Sequence, residues 1–209
     1  MRRRLEREQR AGITAKAVRL VESDYLLGVH DAFRVGALRF RLDDAGDFLD
    51  NQHDVAAPPF FQLRELEAAS LALERDVDNT DAHGDDWLRM LIAPGGSLGG
   101  ARPKASVVDP GGHLWIAKFP SVSDERDMGA WGLARGCGLQ VPDSLARRFA
   151  NPHHTFLVKR FDRTDAGRRL HFASAMTLTG RQDGDDASSG ASALEIARVL
   201  IDHGAQTDA

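Results

Sequence analysis

The chain has 209 residues, 42% hydrophobic and 28% charged, with a formal net charge of −4, the composition of a soluble globular protein with a core of its own. The single cysteine, Cys137, cannot close an internal disulfide, so nothing points to an oxidising compartment. No uncharged apolar run approaches the roughly 20 residues that cross a bilayer, and the basic start MRRRLEREQRAG has no apolar stretch behind it to make a secretory signal. The expected location is the cytoplasm.

Charge is unevenly spread. Residues 1–22 carry seven Arg/Lys against three Glu, residues 43–86 thirteen acids against two arginines, and residues 97–169 twelve bases against seven acids. The basic third segment contains a glycine-rich stretch, which suits a polyphosphate ligand, although solvated surfaces give the same pattern.

In chain order, Arg2 to Arg10 reads as a polar helix stopped near Gly12. Alternation over Ala37–Leu42 predicts a half-buried strand with Leu38, Phe40 and Leu42 on one face, followed by a turn at Asp43–Gly46. Pro58-Pro59 opens a helix in which Leu63, Leu66 and Leu73 share a face. DVDNTDAHGDD is an acidic breaker before a short apolar helix, Trp87 to Ile92. After the glycine loop, Gly95–Gly100, two strands at Ala105–Val108 and Leu114–Phe119 flank the turn DPGG and predict a β-hairpin. A helix is expected within Asp124–Cys137, a strand at Thr155–Phe161 and a turn at TDAGRR. DGDDASSGAS reads as a loop too polar to pack. A last helix lies within SALEIARVLIDHGAQ, where Ser192 and Glu195 form a capping box and Gly204 sits just past the end. The predicted fold class is α+β, an antiparallel sheet with packed helices.

Gly95, Gly96, Gly99, Gly100 and Ala101 are small enough for backbone N–H groups to approach an anion, or they simply build a turn. The stretch lacks the Gly-Lys-Ser/Thr of a P-loop and the G-x-G-x-x-G of the dinucleotide fold. Period-2 alternation places Ile116 and Lys118 on one face of their strand, with Trp115, Ala117 and Phe119 on the other. A glycine loop followed by a strand lysine is how protein kinases grip nucleotide phosphates, and Ile116 would line an adenine slot. A surface lysine on an edge strand is the other reading.

The stretches DYLLGVHD, GALRF, GGSLGGARPKASVVD, LWIAKFPS, FLVKRFDR and LHFASAMTL run in an order that resembles the HipA family, the kinase toxins of type II toxin–antitoxin pairs. The resemblance covers about Val21 to Gly204. It implies a kinase-like fold, in three parts: an N-terminal subdomain over 1–90, a small lobe over 91–165 and the start of a large lobe over 166–209. It also implies serine/threonine phosphorylation from ATP and Mg2+, a helix-turn-helix antitoxin partner, a protein substrate such as a tRNA synthetase, and DNA contact only through the antitoxin.

Residue by residue, the resemblance assigns Gly99, Gly100, Ala101, Arg102, Pro103 and Lys104 to the loop touching the phosphates and Lys118 to the phosphate-gripping lysine. It assigns Lys159, Arg160 and Phe161 to the segment whose backbone holds the adenine. Ser97 matches the serine these kinases phosphorylate on themselves, where a phosphate beside Arg102, Lys104 or Lys118 would turn the loop outward; a plain turn residue is the alternative.

Departures from the family pattern are expected to matter. The chain reads as incomplete at both ends, and no residue matches the family's catalytic aspartate or its Mg2+ ligands, so no catalytic residue is assigned and the chain is expected not to catalyse. The helix after DMGAW lacks an evident glutamate to pair with Lys118. DNTDAH, Asp78 to His83, imitates a catalytic element but stands upstream of the glycine loop and reads as an acidic loop. His153-His154 has no spacing partner for zinc, and Cys137 has no His or CxxC partner. Phe156, Leu157 and Val158 read as core. The alternatives are a non-catalytic module that sequesters antitoxin through residues 43–86, and a non-functional pseudogene remnant.

Overall fold

In the computed structural model the described residues are 21–49, 58–75, 91, 103–121, 129–149 and 152–204. The chain forms two compact units, Met1–Leu170 and His171–Ala209. Among the described residues no helix is long and apolar enough to cross a membrane.

The first unit is α+β and is built on one four-stranded antiparallel sheet. Its strands are β1 (Lys104–Val108), β2 (Leu114–Lys118), β3 (Ser144–Arg147) and β4 (Thr155–Lys159), in the order β1-β2-β4-β3. Register follows from the alternation. Ala105, Ala117, Leu157 and Leu145 lie in one cross-strand row, and Val107 pairs with Trp115 beside it. All these side chains point to one face. There they meet a helix, α2 (Leu63–Arg75), preceded by a short 3-10 turn over Phe60–Gln62; a shorter helix, α1 (Glu22–Leu27), comes earlier in the chain.

Helix α2 forms because LRELEAASLALER repeats its apolar residues at helical spacing, and the structure buries Leu63, Leu66, Ala69 and Leu73 on that stripe. The core is Leu63 and Leu66 against Ala105, Val107, Trp115, Ala117, Phe119 and Leu157. Two polar ties also cross this layer. Thr155 Oγ1 donates to the buried Glu67, and Ser121 Oγ donates to Glu74. A buried carboxylate needs such a partner, so Glu67 fixes the helix against β4 in one position.

The hairpin turn is set by Asp109. Its Oδ1 accepts from the His113 amide at 2.9 Å, and its Oδ2 accepts from the Trp115 indole N–H at 2.9 Å. Gly112 closes the turn at φ +82°, where a side chain would be strained. The outer edge of β1 is covered: Val108 N–H donates to the Pro58 carbonyl at 3.1 Å, and Pro59 bridges Val108 in parallel. Covering that edge removes a template for strand addition.

The predicted strand at Ala37–Leu42 does not form. The region holds only an isolated bridge between Phe40 and Leu49, and Leu38 and Leu42 are 60% and 83% exposed. Arg39 and Arg41 explain the difference. Their guanidinium groups stack over the Phe48 ring at 3.5 and 5.5 Å, and Arg39 also pairs with Asp31 at 2.6 Å. The polar members of the alternation hold this segment while Leu38 and Leu42 face outward and Phe40 stays half-buried under Arg34.

The second unit has two helices, α4 (Ala175–Thr179) and α5 (Ala193–His203), α3 being the Gly129–Gly136 helix of the first unit. Ser174 caps α4 and Gly180, at φ +68°, ends it. The capping box of Ser192 and Glu195 starts α5, and Gly204 follows its last residue. The polar segment before α5 is ordered by one side chain. Arg181 donates to the carbonyls of Ser189 and Gly190 at 2.9 Å each and pairs with Glu195 at 2.6 Å. Residues Arg2–Arg10, Asp78–His83, the glycine loop and most of Trp87–Ile92 lie outside the described residues.

Candidate functional site

The sheet face opposite α2 carries the lysine. The buried set Trp115, Ala117 and Phe119 points to the core, while Ile116 is half-buried and Lys118 exposed on the other face, as the alternation predicts. Lys104 is the first residue of β1, and it is the direct cross-strand partner of Lys118, five pairs out from the turn. Two ammonium groups side by side on one face repel each other, and an anion between them removes that cost.

The floor beside the lysines is apolar. Lys118 Nζ stands 5.8 Å from the centroid of Phe156, the next residue in its cross-strand row, and Ile116 pairs with Val158. Helix α3 lies on this same face, because Trp131 packs edge-on against Phe156 with ring centroids 5.5 Å apart. Helix α3 has the sequence GAWGLARG and contributes no carboxylate, and no carboxylate among the described residues pairs with Lys118. Two further polar groups on this face are buried without hydrogen-bond partners: Ser106 Oγ, opposite Ile116, and Trp131 Nε1. Such groups are rare in folded proteins and mark places where a partner is missing.

Of the expected site residues, Lys104 and Lys118 come together, beside Phe156, which the sequence reads as core. Ser97, Gly99, Gly100, Ala101 and Arg102 lie outside the described residues, and Pro103 is described only as the acceptor for the Phe119 amide. Lys159, Arg160 and Phe161 end β4 and leave it. The strand stops at Lys159, two residues earlier than the alternation predicts, because Arg160 turns its side chain into a buried charge cluster. The backbone amides of Lys159 and Arg160 are already used, donating to the carbonyls of Asp143 at 2.8 Å and Leu114 at 2.9 Å. Phe161 is 56% exposed.

The charge cluster was not foreseen as a unit. Asp162, fully buried, accepts from Arg160 (2.6 and 2.8 Å), from Arg163 (2.6 Å) and from the Gly36 amide (2.7 Å). Arg160 and Arg163 also donate to carbonyls of Ala32, Phe33, Arg34 and Gly36. Beside it, Asp31 accepts from both Arg39 and Arg169, and Arg34 donates to the carbonyls of Leu26, Val29 and Leu49. Burial alone would raise the Asp162 carboxyl, but its arginine and amide donors outweigh it and hold the group below the ordinary range. Asp31 behaves likewise through Arg39 and Arg169. The available signal was the run KRFDR directly after a fully buried strand, where charges leaving a core need mutual partners.

His153 and His154 gather no metal set: among the described residues no three His, Cys, Asp or Glu side chains are placed to hold a metal ion. Cys137 is exposed and free.

The first unit is thus an antiparallel α+β domain whose sheet face opposite α2 carries a lysine pair. The sequence model of the HipA-like C-terminal domain matches residues 96–209, more than half of the chain, and the protein belongs to the HipA family. No curated protein matches the chain, and no solved structure does.

Proposed function

We propose that this protein binds ATP on the sheet face that carries Lys104 and Lys118, as the nucleotide-binding part of a HipA-type serine/threonine kinase of a toxin–antitoxin pair. One observation carries the reading: two lysines are direct cross-strand neighbours above an apolar floor of Ile116, Phe156 and Val158, on a face that also holds two buried unpartnered donors. Phosphate oxygens are the natural acceptors for the exposed Lys118 ammonium, and the apolar floor suits the base. The glycine-rich residues Gly99–Pro103 enter β1 directly and so reach this end of the sheet by chain connection alone.

In this reading ATP arrives as its Mg2+ complex, and the residues named contact the phosphates and the base. Phosphoryl transfer is not assigned to this chain, because among the described residues no acid pairs with Lys118. A helix-turn-helix antitoxin and a protein substrate such as a tRNA synthetase belong to the same proposal.

Titration calorimetry with ATP and Mg2+ tests it. Lys118→Ala should weaken binding by about ten-fold or more, the scale of one charge-assisted contact, with thermal stability unchanged because the side chain is exposed. Equal affinity for both proteins would remove the site from this face. Labelled phosphate appearing on Ser97 or on a synthetase would overturn the assignment of binding without transfer.

A further inference from the structure

A second site lies at the other end of the hairpin. Around the turn of β1 and β2 the first unit encloses a cavity of about 360 Å³. Its polar wall is His113 from the turn, Lys159 and Arg160 from the end of β4, and Arg163, Asp165 and Arg169 from the loop that follows. Lys118 does not line it; Lys118 lies four positions along β2 from Leu114, about 13 Å away.

The wall is rich in fixed positive charge. Lys159, Arg160, Arg163 and Arg169 face one carboxylate, Asp165, which is 82% exposed and paired with Lys159 at 2.7 Å. These arginines belong to a cluster in which five guanidinium groups gather around two carboxylates, Arg39 and Arg169 paired with Asp31 beside Arg34, and Arg160 and Arg163 paired with Asp162, so positive charge is left over. Arg169 Nη1 is buried with no hydrogen-bond partner. Burial, reinforced by the neighbouring guanidinium charges, holds Arg163 and Arg169 below the ordinary guanidinium range. Each of these facts describes cations gathered without enough anions.

We propose that this cavity is a binding site for a phosphate group, carried by inorganic phosphate or by a small phosphate monoester. A phosphate near neutral pH brings close to two negative charges to this excess of cations, whereas a carboxylate brings one. Guanidinium forks suit its oxygens geometrically. The cavity is larger than the phosphate itself needs and falls at the small end of ligand pockets, so it has room for the body of a small ester. His113, its ring held by Asp109 at 3.1 Å, presents its other nitrogen toward the Asp165 side of the wall, 3.9 Å from that carboxylate. The site stands independently of the nucleotide reading.

The test is calorimetric titration of the full chain at constant ionic strength with inorganic phosphate, with phosphoserine and with acetate. Saturable binding of phosphate or phosphoserine, with acetate at least about ten-fold weaker, is expected. Tighter phosphoserine than phosphate identifies the monoester as the source, and the reverse identifies the free ion. Arg169→Gln should weaken binding by about ten-fold, and Asp31 keeps Arg39 as a partner in that variant. Asp165→Asn is the second variant: it lies on the surface, frees Lys159 and removes the one opposing charge, so it should tighten binding about three-fold. No saturable phosphate binding, or acetate binding as well as phosphate, overturns the proposal. So does affinity that neither Arg169→Gln nor Asp165→Asn moves.

Discussion

Asp162→Ala should destabilise the first unit by about 3–5 kcal/mol, the usual cost of removing one partner from a buried ion pair. The substitution strips two guanidinium groups and the Gly36 amide of a shared acceptor, and leaves Arg160, whose side chain is 1% exposed, charged and buried. Urea denaturation followed by tryptophan fluorescence measures it, since Trp115 and Trp131 both report on the sheet. A loss below about 1 kcal/mol would mean that the pairs behave as surface ion pairs. Acid gives a second reading. The Asp31 and Asp162 carboxyls hold their protons less tightly in the folded chain than the ordinary value of 3.8. Their stabilisation is therefore complete above that value and disappears as the pH falls through the lower folded-state values. The melting temperature of the wild type should drop below about pH 4, and Asp162→Asn, which has no carboxyl to protonate there, should show a shallower drop.

Phe119→Ala should cost about 3–5 kcal/mol, or roughly 6–20 °C in melting temperature. Phe119 is the largest fully buried side chain among the described residues and closes the core between α2 and the sheet just after Lys118. Its amide donates to the Pro103 carbonyl at 3.1 Å, so the ring and the backbone together fix the end of the hairpin where the two lysines stand. Truncation leaves a cavity that the sheet cannot collapse into, whereas Phe119→Leu retains most of the volume and should lose less than half as much. If both variants melt like the wild type, the packing described for this end of the sheet is wrong.

Much of the fold could be read from local pattern. The β1–β2 hairpin, α2 with its Leu63–Leu66–Leu73 stripe and the cap of α5 are each specified by residues close in sequence, and each forms where the pattern places it. The side of the sheet to which Lys118 belongs followed from alternation alone. Its pairing with Lys104 could also have been counted outward from the turn, but Lys104 had been assigned to the loop. What was not legible is held by distant partners. Leu38, Phe40 and Leu42 alternate like a strand, yet Arg39 finds Asp31 and Phe48, and those contacts decide the segment. Arg160 looked like a hinge residue because nothing near it in sequence shows that residues 33 and 34 will receive its guanidinium.

That long tie has a consequence for how the chain matures. The Gly36 amide meets Asp162 across 126 positions of sequence, and Arg34 meets Arg160 across the same span. A ribosome adding about 5–20 residues each second leaves the early segment without its anchor for roughly 6–25 s. During that interval residues 31–36 have only near neighbours such as Leu26, Arg39 and Leu49 to settle against, and the buried ties to Asp162 and Arg160 form only once the KRFDR run emerges. Slow emergence, rather than slow folding of the hairpin, then sets the time at which this protein first becomes whole.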